Sequence, residues 1–380
     1  MHATIRRRKG LALAVALGAM VIIGALIAGV FFSSTQEYRI ASNTVLQARA
    51  QTAAEYGLNA VMAPGQWSST WNSSNPGQTV VRAYNPGDGS YDTLRITKLS
   101  NEGFLVVSEG SAGRLVGAQA RHRLGAMLTL QVPRIDLRGA LTTRGDIKLG
   151  GSSFINGNDQ NYDGWGCDAL TAGKPGLAVA DSSRVTTSGC NNYNCVSGNP
   201  KISEDPAAAD TNTYFKFGGV DWAGLTAMAS KRFIGGTLNG MQPSYTGDGS
   251  CNSADMRNWG NPNRTAGSTA CNDYYPIIHS TGDLQLTGGI GQGVLLVEGN
   301  LEVSGGFEFY GPVLVRGSLK TTGQGGHFNG GVMAANVDLN QNTVLGDAVV
   351  QYSACAVAKA TRGSALPIFA KGRSWVQLFQ

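Results

Sequence analysis

RRRKGLALAVALGAMVIIGALIAGVFF, residues 6–32, decides how this chain is organised. Four basic residues and Gly10 lead into 22 uncharged apolar residues, 11–32. At ~1.5 Å per residue a helix of that length reaches ~33 Å, enough to cross a bilayer core. A secretory signal has a shorter apolar core, ~7–15 residues, followed by a small-residue cleavage site. Here the apolar run continues directly into helix-forming sequence. Residues 33–62 hold no proline and one glycine, Gly57, and Leu46, Ala50, Ala53, Ala54, Leu58 and Val61 recur at spacings near three and four. Pro64 and Gly65 stop the pattern. The reading is one helix of about fifty residues that starts in a membrane and ends on a globular domain.

The basic leader, Gly10, Leu11, the apolar run and the continuation SSTQEYRIASNTVLQARAQTAAEYGLNAV together resemble the type IV pilin and pseudopilin superfamily, and within it the PilX-like minor pilins. The resemblance covers about the first sixty residues. It implies a prepilin leader, 1–10, cut between Gly10 and Leu11 on the cytoplasmic side, with N-methylation of Leu11. It also implies other pilins as partners through the helix, a prepilin peptidase, and an inner-membrane single pass with a periplasmic body that moves to a filament tip or the cell surface after assembly. One position departs from the family. Major pilins carry a glutamate five residues into the mature chain, where it neutralises a neighbour's N-terminal amine in the apolar filament core; here that position is Val15. An unpaired charge in such a core is costly, so Val15 argues for a role in initiation or at the tip and against an abundant shaft subunit. It also leaves open an anchored protein that never enters a filament.

Of the 30 Lys and Arg residues four lie in 1–10, which holds no acid, leaving 26 cations against 25 acids beyond it. The basic balance is therefore a targeting feature and gives no support for a nucleic-acid partner. Glycine is abundant, 53 residues against 12 prolines, which suits a turn-rich β body. A first β segment, 64–132, contains an alternating run at 91–99, a short apolar strand at 104–107, a turn cluster at 109–113 and a long strand at 114–132. Such a sheet gives the exposed half of the helix a surface to bury against. Trp67 and Trp71 read as packing residues.

Beyond Pro133 lies an internal repeat. GVLLVEGNLEVSG (293–305) aligns with GPVLVRGSLKTTG (311–323), a third copy starts at Gly331, and the template recurs upstream as GALTTRGDIKLGG (139–151). Short alternating strands parted by glycines at a period near 20 indicate a β-solenoid, expected as a right-handed parallel β-helix over 133–380 with a cysteine-bearing insertion around 158–280. A helix is expected over 221–232. The fold class is thus α+β to all-β: a transmembrane and amphipathic helix over 11–63, a small antiparallel sheet, then the coiled body with loop insertions.

A leader that exports the body places its six cysteines in an oxidising space, so disulfides are expected. Cys251–Cys271 is the favoured pair; Cys167 is placed with Cys190 or Cys195, and Cys355 has no evident mate. Zinc is disfavoured because no histidine lies between Cys167 and Cys271. Calcium is the one metal a motif suggests: Asp159, Asn161 and Asp163 before Gly164 match half of a calcium loop, with Asp168 substituting for the missing glutamate at Leu170. An Asn/Asp/Gly turn held by its own hydrogen bonds explains the same residues. No cofactor is otherwise implied. His2, His122, His279 and His327 are scattered, and no nucleophile elbow or phosphate loop is present. Glu298, Glu302, Glu308, Arg316 and Lys320 on the repeat fit solvated coil positions, and the aromatic patch 306–310 fits a stack within a coil. The leading reading is a non-enzymatic minor pilin. The alternative is a membrane-anchored adhesin that binds a surface glycan, and a carbohydrate-active enzyme comes third.

Overall fold

The computed structural model describes residues 11–63, 66–113, 119–265, 267–336, 342–371 and 375–378. Residues 1–10, read above as a leader, together with 64–65, 114–118, 337–341 and 372–374, on which parts of the sequence reading fall, lie outside them.

Helix α1 (Leu11–Met62) is continuous, ~78 Å long at the standard rise. Its two ends have opposite surroundings. Leu13, Val15, Leu26 and Phe32 stand more than half exposed, whereas Ala50, Ala53, Ala54, Leu58 and Val61 are fully buried. Burial follows a partner surface, here the antiparallel sheet of β1 (Thr79–Tyr84), β2 (Ser90–Lys98), β3 (Gly103–Gly113) and β4 (Gln119–Gln131), paired in that order. Leu94 and Ile96 of β2 face the helix while Tyr91 and Arg95 face out, the period of two expected of a half-buried strand. Trp67 packs edge-on against Trp71 and Phe104 at 4.9 and 5.1 Å. The stretch 109–113, read from its glycines and serines as a turn, is strand instead: β3 pairs with β4 out to Gly113↔Gln119.

Two C-terminal strands, Leu366–Phe369 and Trp375–Leu378, also pair antiparallel with β4. The sequence reading runs the coiled body to residue 380; the structure ends it near residue 365 and returns the chain to the first sheet. The return covers β4's outer edge, whose backbone N–H and C=O groups would otherwise stay unpaired.

The second body is a parallel sheet curled on itself in three ladders. One ladder stacks Lys231, Ile278, Leu295, Val313, Val332, Leu141, Leu177 and Ile202 in register. A second stacks Thr237, Gln285, Glu302, Lys320, Thr343, Lys148 and Thr186. The third carries the inward column Phe309, Phe328, Val350, Ile155 and Val196. Glycine is required at one corner: Gly311 has φ +133° and a side chain there would meet the Gly293 carbonyl oxygen at 2.1 Å. The repeat's leading glycine is the close-approach point between successive passes.

The spatial order of passes is a rotation of their order in the chain. The chain enters mid-stack at residue 141 and builds to one end at 204. It then crosses back along the stack and builds from 231 to 352, where it meets its own first pass. The crossover, 205–230, spans about seven strand spacings, ~34 Å. It holds a short helix, Trp222–Ala227, in place of the longer one expected at 221–232, because the chain must become strand again at Lys231–Phe233. Arg316 lies over the rings of Phe215 and Trp222 at 5.2 and 5.8 Å and pins the crossover to the middle of the stack. The supposed insertion at 158–280 therefore contains three stretches of coil, 177–204, 231–241 and 277–280, separated by the crossover and the 242–276 loop.

The disulfides follow this topology. Cys251 bonds Cys271 inside the 242–276 loop, and Cys190 bonds Cys195. Cys167 bonds Cys355, not Cys190 or Cys195 as the sequence reading places it, because the pass before residue 167 lies beside the pass before residue 355. Cys355 belongs to a helix absent from the sequence reading, Ala354–Gly363, capped by Ser353. That helix joins the two bodies. The buried Asn72 amide turns its nitrogen to the carbonyl oxygens of Arg362, Gly363 and Ala365 at 2.9–3.0 Å and accepts the Trp67 indole N–H at 2.8 Å.

Candidate functional site

The feature with the clearest functional shape is the junction between α1 and its sheet. The helix backbone approaches β3 so closely that Gly110 has no room for a side chain; a Cβ there would lie 2.0 Å from the Ala50 carbonyl oxygen. Opposite Gly57, Asp92 of β2 is 1% exposed. Ser108 Oγ lies 2.7 Å from the Ala54 carbonyl oxygen and 2.6 Å from Asp92 Oδ1, one hydroxyl proton between two acceptors. Below about pH 6 a protonated Asp92 supplies the missing proton. Burial pushes the Asp92 carboxyl up to about 6 against the lowering effect of the Ser108 hydrogen bond, and the Glu109 charge adds to the rise.

The sign of the pH effect follows. An Asp that holds its proton to about 6 in the fold, against 3.8 when unperturbed, contributes stability that is full below pH 3.8 and lost as pH rises through 6. The shift corresponds to at most about 3 kcal/mol. Asp92→Asn should therefore raise stability at pH 7.5 by about 1–3 kcal/mol and leave it nearly unchanged at pH 4. Urea midpoints of the two proteins at both pH values check this; a variant less stable at pH 7.5 would show that the carboxylate is wanted ionised. The sequence reading missed Asp92. Its signal was legible, because an acid occupies the same parity as Leu94 and Ile96 in an alternating strand.

Toward the N-terminal end of α1, Val15 stands 62% exposed on the helix surface. Of the residues tied to the leader, Leu11 begins the helix.

The charged residues singled out on the repeat are brought together in pairs by the stacking. His279 Nε2 is 2.9 Å from Glu298, whose other oxygen is 3.5 Å from Arg316. Lys320 is 3.1 Å from Glu302, and His327 is 3.9 Å from Glu308. Histidines too distant in sequence to suggest a partner thus each gain a carboxylate one pass away. Phe307 and Phe309 are fully buried and stacked at 6.2 Å, while Tyr310 packs on Tyr162 and Trp165 at 5.0 and 5.6 Å. The aromatic patch belongs to the core and the adjoining loop.

The half calcium motif is spent on hydrogen bonds. One oxygen of Asp159 accepts from the Thr171 N–H and hydroxyl at 2.8 and 2.7 Å, and the other accepts from the Ala354 N–H at 2.8 Å. Asn161 donates to the Asp168 carbonyl oxygen at 2.8 Å, and the Asp163 and Asp168 side chains are exposed. Among the described residues no three His, Cys, Asp or Glu side chains gather as a metal-binding group. The motif instead docks its loop onto the N-terminus of the helix at 354.

No protein-family model matches the chain, and no curated protein does. Among solved structures, the crystal structure of the competence-associated pilin ComZ from Thermus thermophilus is similar over 88% of this chain and 97% of its own length, at 12% identity and a TM-score of 0.24.

Proposed function

We propose that this chain is a minor pilin or pseudopilin-like component of a type IV pilus or related filament system, acting in filament initiation or tip display. The observation that carries the reading is the division of α1. One unbroken helix leaves an apolar N-terminal length uncovered and seats its last turns under an antiparallel sheet. A helix whose apolar surface has no intramolecular partner calls for lipid or other helices. In this reading residues 11–49 sit first in the inner membrane and then against other pilins, after a prepilin peptidase cuts between Gly10 and Leu11. Val15 supports a terminal position, since valine cannot neutralise a neighbour's amine. We read the curled sheet as a closed right-handed β-helix, the hand that parallel crossovers take almost without exception, carried outward by the anchor. The pairing of its acids with its own bases supports a role without catalysis.

The test is N-terminal mass spectrometry of the protein from sheared surface filaments and, separately, from membranes. The expected result is a methylated Leu11 terminus in the filament fraction. An uncut terminus confined to membranes would overturn the filament reading and leave an anchored β body.

A further inference from the structure

The second ladder of the stack carries a groove. A cavity of about 610 Å³ opens where four successive passes begin their second-ladder strands, lined by Gly236 and Thr237 from the first, then by residues around 284, 301 and 319. Its polar side chains are Thr237, Asp283, Gln285, Asn300, Glu302 and Lys320, with Ser318, whose hydroxyl already donates to Asn300. Thr237, Gln285, Glu302 and Lys320 are consecutive in register, so they form a straight outward column along the stack axis. Three strand spacings give that column a length of ~14 Å.

We propose that this groove is a binding site for a neutral glycan chain lying along the stack axis. Three observations select that class. First, the column and the Asp283 and Asn300 side chains beside it present both donors and acceptors. Asp283 already accepts from the Asn300 N–H through one oxygen, Gln285 accepts from the Thr237 hydroxyl through its carbonyl, and Glu302 holds Lys320 through one oxygen. The second oxygens of Asp283 and Glu302, the Gln285 amide N–H groups and the remaining Lys320 N–H groups form a mixed polar lining. Sugar hydroxyls, which both donate and accept, match such a lining. Second, the lining carries two carboxylates and one ammonium, a net negative charge that disfavours nucleic acid and acidic polysaccharide. Third, its apolar lining side chains, Leu284 and Leu301, are at most 1% exposed, so neither offers the deep apolar slot that a peptide anchor fills. The periodic backbone fixes the spacing of these groups before any ligand arrives.

This inference rests on the groove and does not depend on the filament reading. The test is affinity electrophoresis and calorimetry of the full chain in detergent with dextran, cellohexaose and chitohexaose, with polygalacturonate and heparin as anionic competitors. Wild type and the double variant Gln285→Ala/Glu302→Ala are compared; both positions face outward, and circular dichroism confirms that the fold is kept. The expected result is binding to at least one neutral glycan, weakened at least tenfold in the double variant, and none to the polyanions. Binding unchanged in the double variant, preference for a polyanion, or no binding to any neutral glycan at millimolar concentration would overturn it. None of these outcomes bears on the Leu11 terminus, so the two readings fail separately.

Discussion

Replacing Cys167 and Cys355 together by serine should cost about 5 kcal/mol, the largest loss expected of any disulfide here. The two cysteines lie 188 residues apart in sequence, and the bond constrains a correspondingly large loop of the unfolded chain. In the same loop-entropy picture Cys190–Cys195, with a separation of five, is worth about 2 kcal/mol. Topology adds to the contrast. Cys167 follows the first pass of the stack and Cys355 follows the last, and these two passes are hydrogen-bonded neighbours. The bond therefore locks the seam where the chain meets itself. Other seam contacts remain in the variant, including the Asp159 cap on Ala354, the Ser353 hydroxyl donating to the Gln160 carbonyl oxygen and the Tyr162 hydroxyl donating to Asn329. Urea midpoints of C167S/C355S and C190S/C195S, measured side by side, check the ranking. Equal losses would mean that the seam is not the site where the stack is held closed.

What the sequence disclosed follows from how local each signal is. Helix α1 was legible because a membrane-length apolar run and the spacing of Ala50, Ala54, Leu58 and Val61 need no knowledge of the partner. The stacked passes were legible because Leu284, Leu301 and Leu319 repeat at nearly constant offset and occupy one column in space. The seam was not. Val332 pairs with Leu141 through a contact between distant segments, and each strand would read the same whether its neighbour were the next pass or the first. Both the Cys167–Cys355 bond and the return of Leu366–Phe369 to β4 depend on that contact, so both escaped with it. The helix Ala354–Gly363 is a different kind of omission, since Ser353 followed by an alanine-rich segment is a local N-cap signal. The stretch 109–113 failed for a physical reason. Its glycine at 110 looks like a turn former, yet it sits in a strand because α1 needs the space.

Gly110→Ala should cost about 3 kcal/mol or more, above the usual range for overpacking. The usual range applies where flexible side chains can move aside. Here the added carbon would meet the Ala50 carbonyl oxygen at 2.0 Å and the Ala54 amide nitrogen at 2.5 Å, both backbone atoms of a continuous helix. The helix can relieve them only by lifting off β3, which would also part Ser108 from the Ala54 carbonyl oxygen and open the Asp92 site. Gly247→Ala is the control: no atom lies within 4 Å of its added carbon, and the change should stay within about 0.5 kcal/mol. Urea midpoints give the energies, and amide hydrogen exchange over residues 50–62 reports the lift directly, because protection there should fall in G110A while the parallel stack keeps its own. Loss of protection confined to α1 would identify the clamp as a unit that opens separately from the body. An unchanged midpoint together with unchanged protection would mean that α1 is not seated on β3. Helix α1 and the sheet would then be joined through the chain alone, and pulling on the helix could not be transmitted to the sheet.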